Sequence, residues 1–146
     1  MEHLKLLALD EDDLRIVSAH MQDAVFKSGD LTYDRKAGQF ILEANRFVWE
    51  KASEKAKGFE RRRALLVFKR IEAVRTLGID RKSPDSVQNL LAIEFKKRGD
   101  GPEGTILLVL AGKAAIELDV ECIEVQLADT GGAWETGLKP RHPAGG

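Results

Sequence analysis

Along most of this chain apolar side chains recur at every second residue, and these stretches are joined by hairpin-length connections. Period-two alternation marks a strand with one face buried, whereas an amphipathic helix repeats near every 3.6 residues. Phe40, Leu42 and Ala44 keep one parity, as do Leu91, Ile93 and Phe95, and then Ile116, Leu118 and Val120 with Glu117 and Asp119 between them. Ile106–Ala111 is apolar at every position, the pattern of a central strand covered on both faces. Strands that follow one another without intervening helices favour an antiparallel sheet over βαβ units.

Two segments depart from this period. Asp10 precedes Glu11, Asp12 and Asp13, an N-cap followed by carboxylates where the helix dipole favours them. Leu14, Val17, Met21 and Ala24 then form one apolar stripe of an N-terminal helix, which Ser28-Gly29-Asp30 ends. Near the other terminus, Val120, Ile123 and Leu127 have helical spacing, with Gly131 placed as the residue after the C-cap. Between the helices the strands are Leu4–Leu9, a hairpin of Leu31–Tyr33 with Gln39–Trp49, Arg62–Leu77, and the runs around Leu91, Ile106 and Ile116. Parity switches predict a bulge near Asn45-Arg46 and a kink near Lys69-Arg70. The expected fold is therefore α+β: a mainly antiparallel sheet of about seven strands, of pleckstrin-homology-like barrel build, with an N-terminal and a C-terminal helix. An open sheet with both helices on one face is the alternative. A single domain over 1–132 and a loose tail over 133–146 complete this expectation.

Composition bounds the function. The chain has 146 residues, 23 basic and 24 acidic, with a formal charge of −1, so it is not a general polycation. Its longest apolar run is six residues, against roughly 18 for a bilayer span. With no basic-then-apolar leader visible and a single cysteine, Cys122, a cytoplasmic setting without intramolecular disulfides is expected. No membrane association is expected: the presumed first hairpin, Val25–Tyr33, offers only Lys27, which disfavours phosphoinositide binding.

Charge is nevertheless unevenly spread. Residues 1–45 carry a net −4, residues 46–82 carry +7, and residues 83–146 carry −4. The basic block holds Lys55, Lys57, Arg61, Arg62 and Arg63, with Trp49 and Phe59 close in sequence. Guanidinium groups beside aromatic rings can hold an anion and stack a base. The bland reading is a solvated strand face. The expected function is a non-enzymatic binding or protein-interaction module that uses this face for a protein or an anionic ligand. A nucleic-acid or nucleotide binder through the same face is the alternative. A small hydrolase or transferase assembled from Cys122, His20, Glu117 and Asp119 ranks last.

No metal or cofactor is expected. His3, His20 and His142 lie far apart and no paired ligand spacing exists. Glu117, Asp119, Glu121 and Glu124 are grouped, but as a strand face followed by a helical first turn rather than a ligand loop. Gly99–Gly104 lacks the Lys-Ser/Thr of a phosphate loop and reads as a hairpin turn.

Several strings taken together carry a resemblance. They are Leu4-Lys5-Leu6 with Asp13-Leu14; Gln22-Asp23-Ala24-Val25; Asn45-Arg46-Phe47-Val48-Trp49-Glu50; Arg61-Arg62-Arg63; and Glu121-Cys122-Ile123-Glu124 leading to Leu127-Ala128-Asp129-Thr130-Gly131. On them the chain, over about residues 4 to 142, resembles a family of small alphaproteobacterial proteins of unknown function. The resemblance implies a bacterial cytoplasmic setting and brings no activity, cofactor or catalytic residue.

Overall fold

The computed structural model describes residues 4–48, 60–80 and 82–135. These residues form ten strands and one α-helix. In chain order they are β1 (Lys5–Ala8), α1 (Glu11–Met21), β2 (Ala24–Lys27), β3 (Leu31–Asp34), β4 (Gln39–Phe47), β5 (Glu60–Phe68), β6 (Ile71–Leu77), β7 (Val87–Lys97), β8 (Gly104–Leu110), β9 (Ala114–Val120) and β10 (Val125–Glu135). They build an open antiparallel sheet in the order β1-β10-β5-β4-β2-β7-β8-β9-β6, with β3 paired to β4 beside this path.

The helix follows from its local signals. The Asp10 carboxylate accepts the Asp13 N–H at 2.8 Å, Glu11 to Asp13 fill the first turn, and Leu14, Val17 and Met21 are buried. Ala24 belongs instead to β2, because Asp23 takes a positive φ of 68° and turns the chain out of the helix. The helix packs on β7, β1 and β4. At β7 a register shift between Leu90 and Ala92 moves Leu91 to the surface and keeps Leu90 and Ile93 inside. The Ile93 N–H donates to Ser18 Oγ on the helix at 2.9 Å.

The expected hairpin of Val25–Tyr33 is not formed. β2 and β3 both run antiparallel to β4, with Val25 opposite Asn45 and Leu31 opposite Leu42. They are successive lengths of one line, interrupted by a 3-10 turn at Ser28–Asp30. The hairpin of β3 with β4 is formed as expected. So are the hairpin turn at 98–103 and the turn at Gly112-Lys113, where both residues have positive φ.

Three other expectations need correction. No bulge interrupts β4 at Asn45-Arg46: burial alternates from Phe40 through Leu42, Ala44 and Arg46 to Val48, so Arg46 itself points inward. Residues 62–77 are two strands in different parts of the sheet. The break falls at Lys69-Arg70, where the kink was expected: the chain turns a corner there, with Arg70 at φ 61°, and the Ile71 N–H then bonds to the Gly38 carbonyl. Finally, the C-terminal helix is strand β10. Val125, Leu127 and Asp129 are its buried positions, while Ile123 lies in the turn before it, so helical spacing there was coincidental. β10 lies against β5 along most of its length and against β1 over Val125–Ala128, where both of its edges are paired without a helix.

The core runs along the inward parity of the long strands: Phe40, Leu42, Leu66, Phe68, Ile106, Leu108, Ile116, Leu118, Val125 and Leu127 are all buried. Each such side chain contributes roughly 1.5–3 kcal/mol relative to an exposed position. Among the described residues no helix is long and apolar enough to cross a membrane.

Candidate functional site

The basic segment divides by strand parity. Arg62 faces inward with Ala64, Leu66 and Phe68, whereas Arg61 and Arg63 face outward. Arg63 is engaged on that outer surface, donating to Glu43 at 3.2 Å and to Asn45 Oδ1 at 3.4 Å, with Asp30 at 3.9 Å. The Arg61 guanidinium lies over the Phe47 ring, 5.5 Å from its centroid, and among the described residues its buried Nη1 has no hydrogen-bond partner. Trp49, Lys55 and Lys57 fall outside the described residues.

On the inner side, three neighbouring strands bring Arg46, Arg62 and Asp129 together. Arg46 stands directly opposite Arg62 across β4 and β5, an arrangement that would repel on its own. Asp129 on β10 bridges them, accepting from Arg46 Nε at 2.9 Å, Arg46 Nη2 at 3.1 Å and Arg62 Nη1 at 3.3 Å. It also accepts the Leu4 N–H at 3.0 Å, and its own N–H donates to the Leu4 carbonyl, tying the chain's first described residue to the cluster. Burial works to raise the Asp129 pKa, but the Arg46 hydrogen bonds, the Leu4 N–H and Arg62 outweigh it and hold the carboxyl below its usual range. Geometry of this kind fixes strands to one another.

The acidic group is likewise neutralised by arginines. Arg75 holds Glu117 at 2.9 Å and Asp119 at 2.8 Å, and Arg70 holds Glu121 and Glu124. Hydrogen bonds from Arg75, with a further one from Thr105, bring the Asp119 carboxyl down to about 2. Among the described residues no three His, Cys, Asp or Glu side chains are grouped so as to hold a metal ion. His20 bonds through Nδ1 to the Ile16 carbonyl of its own helix, and no hydrogen bond joins it to Cys122 in the β9–β10 turn.

A concave surface lies elsewhere, on residues that the sequence reading passed over. A cavity of about 660 Å³ lies between β3 and β6. Leu31, Tyr33 and Phe40 line it from one side, Ala73, Val74, Thr76 and Ile79 from the other. Ser28, Gly29 and Pro84 close one end, where the Gly29 N–H bonds to the Pro84 carbonyl. At the other end the Ile71 N–H bonds to the Gly38 carbonyl. Glu72 and Arg35 supply its charges; Glu72 is held by Arg98 at 3.1 Å, and Arg35 lies over the Tyr33 ring at 5.7 Å. Arg35 also lines a second depression, of about 500 Å³, with Lys36, Lys69 and Arg70. Arg61 and Arg63 line neither. The readable signal was modest: Leu31 and Tyr33 alternate on a short strand followed by Arg35-Lys36, but only the corner at Lys69-Arg70 brings β6 against them.

A protein-family model described as "Protein of unknown function (DUF2948)" matches residues 4–142. The chain belongs to the DUF2948 family. No curated protein and no solved structure shows a significant match to it. In this DUF2948 chain, four of the five strings that carry the family resemblance each place one residue in the inner cluster: Leu4, Arg46, Arg62 and Asp129.

Proposed function

We propose that this DUF2948 chain is a non-enzymatic interaction module whose binding site is the cavity between β3 and β6. The observation that carries the reading is the make-up of that cavity, with half-buried apolar side chains along both sides and a cluster of cationic groups at one end. Among the described residues Arg35, Lys36 and Lys69 make no ion pair, in contrast to Arg63, Arg70 and Arg75. An apolar concavity with a few charged groups at its margin is the usual form of a ligand site. The approach of β6 to the β3–β4 turn supports describing the sheet as an incompletely closed barrel of pleckstrin-homology-like build, with β10 in place of the closing helix. The lone Cys122 and the family resemblance support a bacterial cytoplasmic setting.

Amide chemical-shift mapping with a panel of aromatic and aliphatic carboxylates tests the reading. Perturbations should concentrate at Leu31, Tyr33, Val74 and Ile79 and diminish in Arg35→Glu. Shifts scattered over the surface would remove the cavity from consideration.

One observation favours a second reading. The Arg61 guanidinium over Phe47, with no acceptor for Nη1 among the described residues, supports nucleotide or single-stranded nucleic-acid binding on the outer face of β4 and β5. Titration with a short oligonucleotide at two salt concentrations should then quench tryptophan emission in a salt-dependent way, and Arg61→Glu should abolish the effect.

A further inference from the structure

The two long sides of the cavity are strand edges. Among the described residues β3 pairs with β4 alone and β6 pairs with β9 alone, and residues of both strands line the cavity from their other edges. A free edge offers a row of backbone N–H and C=O groups, which another extended backbone satisfies repeatedly and which a ligand without amides cannot. Near Ile71 the β6 edge is broken by a register shift, but its pairing from Ala73 to Leu77 is regular. β3 spans four residues, so about four residues of an added strand, roughly 13 Å, would lie alongside it. Beneath such a strand lie Leu31, Tyr33, Phe40 and Val74, an apolar floor for every second side chain.

Charge sets the second requirement. Arg35, Lys36 and Lys69 gather where β3 ends and β6 begins. Glu121 and Glu124 line the same depression, but both are occupied by Arg70. At the rim of the cavity Glu72 is occupied by Arg98. The cationic end is thus complementary to a carboxylate that a ligand would bring.

Resting on the reading of this cavity as the binding site, we propose that its ligand is an extended segment of a partner protein. The segment adds as a strand along an edge of the cavity, with alternate apolar side chains on the floor and an Asp or Glu at the Arg35–Lys69 end.

The test is selection of linear octapeptides from a random display library on the full chain, followed by fluorescence polarisation with labelled synthetic copies. Enriched peptides should alternate apolar and polar residues with an acidic residue at one end. Arg35→Glu combined with Lys69→Glu, in protein whose far-ultraviolet circular dichroism and melting temperature match the unmutated chain, should weaken binding at least about tenfold, equivalent to ~1.4 kcal/mol. N-methylation of one alternate set of peptide amides should abolish binding while the other set tolerates it. Tolerance of N-methylation throughout, or affinity indifferent to the charge reversals, would overturn strand addition. Small carboxylates that map to the cavity while no peptide is enriched would reject the peptide and leave the cavity reading standing. Failure of both ligand classes at the cavity rejects both.

Discussion

Replacing Asp129 with alanine tests the inner cluster most directly. The carboxylate accepts three hydrogen bonds from Arg46 and Arg62 and one from the Leu4 N–H, and the side chains of Arg46 and Asp129 are fully buried. Its removal leaves Arg46 and Arg62 opposed across β4 and β5 without the group that bridges them. Breaking a buried ion pair by deleting one partner typically costs about 3–5 kcal/mol. That is a large part of the roughly 5–15 kcal/mol stabilising an ordinary domain. At about 2–4 °C per kcal/mol for chains a little larger than this one, the melting temperature should fall by on the order of 10 °C. Urea unfolding at neutral pH, followed by circular dichroism and extrapolated linearly, gives the free energy. A cycle with Arg46→Met then separates the coupling from the individual losses. The double variant should be more stable than the summed losses predict, by about 0.5–3 kcal/mol. A loss below about 1 kcal/mol for Asp129→Ala, or strict additivity with Arg46→Met, would refute the bridging role.

Other consequences are smaller in scope. Gly104→Ala should destabilise by about 1–3 kcal/mol in thermal unfolding, because a Cβ there would lie 2.3 Å from the Phe95 ring and 2.5 Å from the Lys96 carbonyl. Ser18→Ala should cost about 1–3 kcal/mol in the same measurement, since the Ile93 N–H loses its acceptor at the β7 register shift. Asp119 contributes through a pKa lowered from 3.8 to about 2. Its stabilisation is complete above about pH 4 and is lost as pH falls through about 2. Arg75 is half exposed, so solvent screening reduces that contribution to about 1 kcal/mol. Asp119→Asn should therefore be less stable than the unmutated chain at pH 6, and the gap should close on acidification toward pH 2.

The strands of the core were legible in the sequence wherever a period of two met a turn signal, as at β3–β4, β7–β8 and β8–β9. The N-terminal helix was equally clear from Asp10 and the Leu14–Met21 stripe. What misled the reading was the assumption that inward positions are apolar. Arg46 occupies the inward parity of β4, and once it is counted as buried the apparent change of face disappears. Arg62 and Asp129 break the same rule on adjacent strands, and three opposed charges on core parity are together a recognisable sign of a buried ion cluster. β10 was missed because Ile123 and Leu127 imitate a helical repeat while the alternation of Val125, Leu127 and Asp129 ends in a charge. The corner at Lys69-Arg70 was legible as a parity switch, but the cavity was not, because it depends on where that corner carries β6, from the end of β5 to the side of β3. No local pattern encodes that approach.

The pairing of β1 with β10 also orders events in time. Lys5 lies opposite Ala128, and the Leu4 backbone is bonded to Asp129, so the first of the ten described strands to be synthesised finds its neighbour only when nearly all of the described sheet has been made. At about 5–20 residues per second that wait is on the order of ten seconds. Throughout it, the β5 edge that β10 later occupies and the facing edge of β1 stay unpaired, and Arg46 and Arg62 oppose each other without Asp129. Nascent chains of this protein should therefore depend on a chaperone or on slow dilution until β10 emerges, and a stop shortly before Asp129 should yield aggregate rather than a shortened domain.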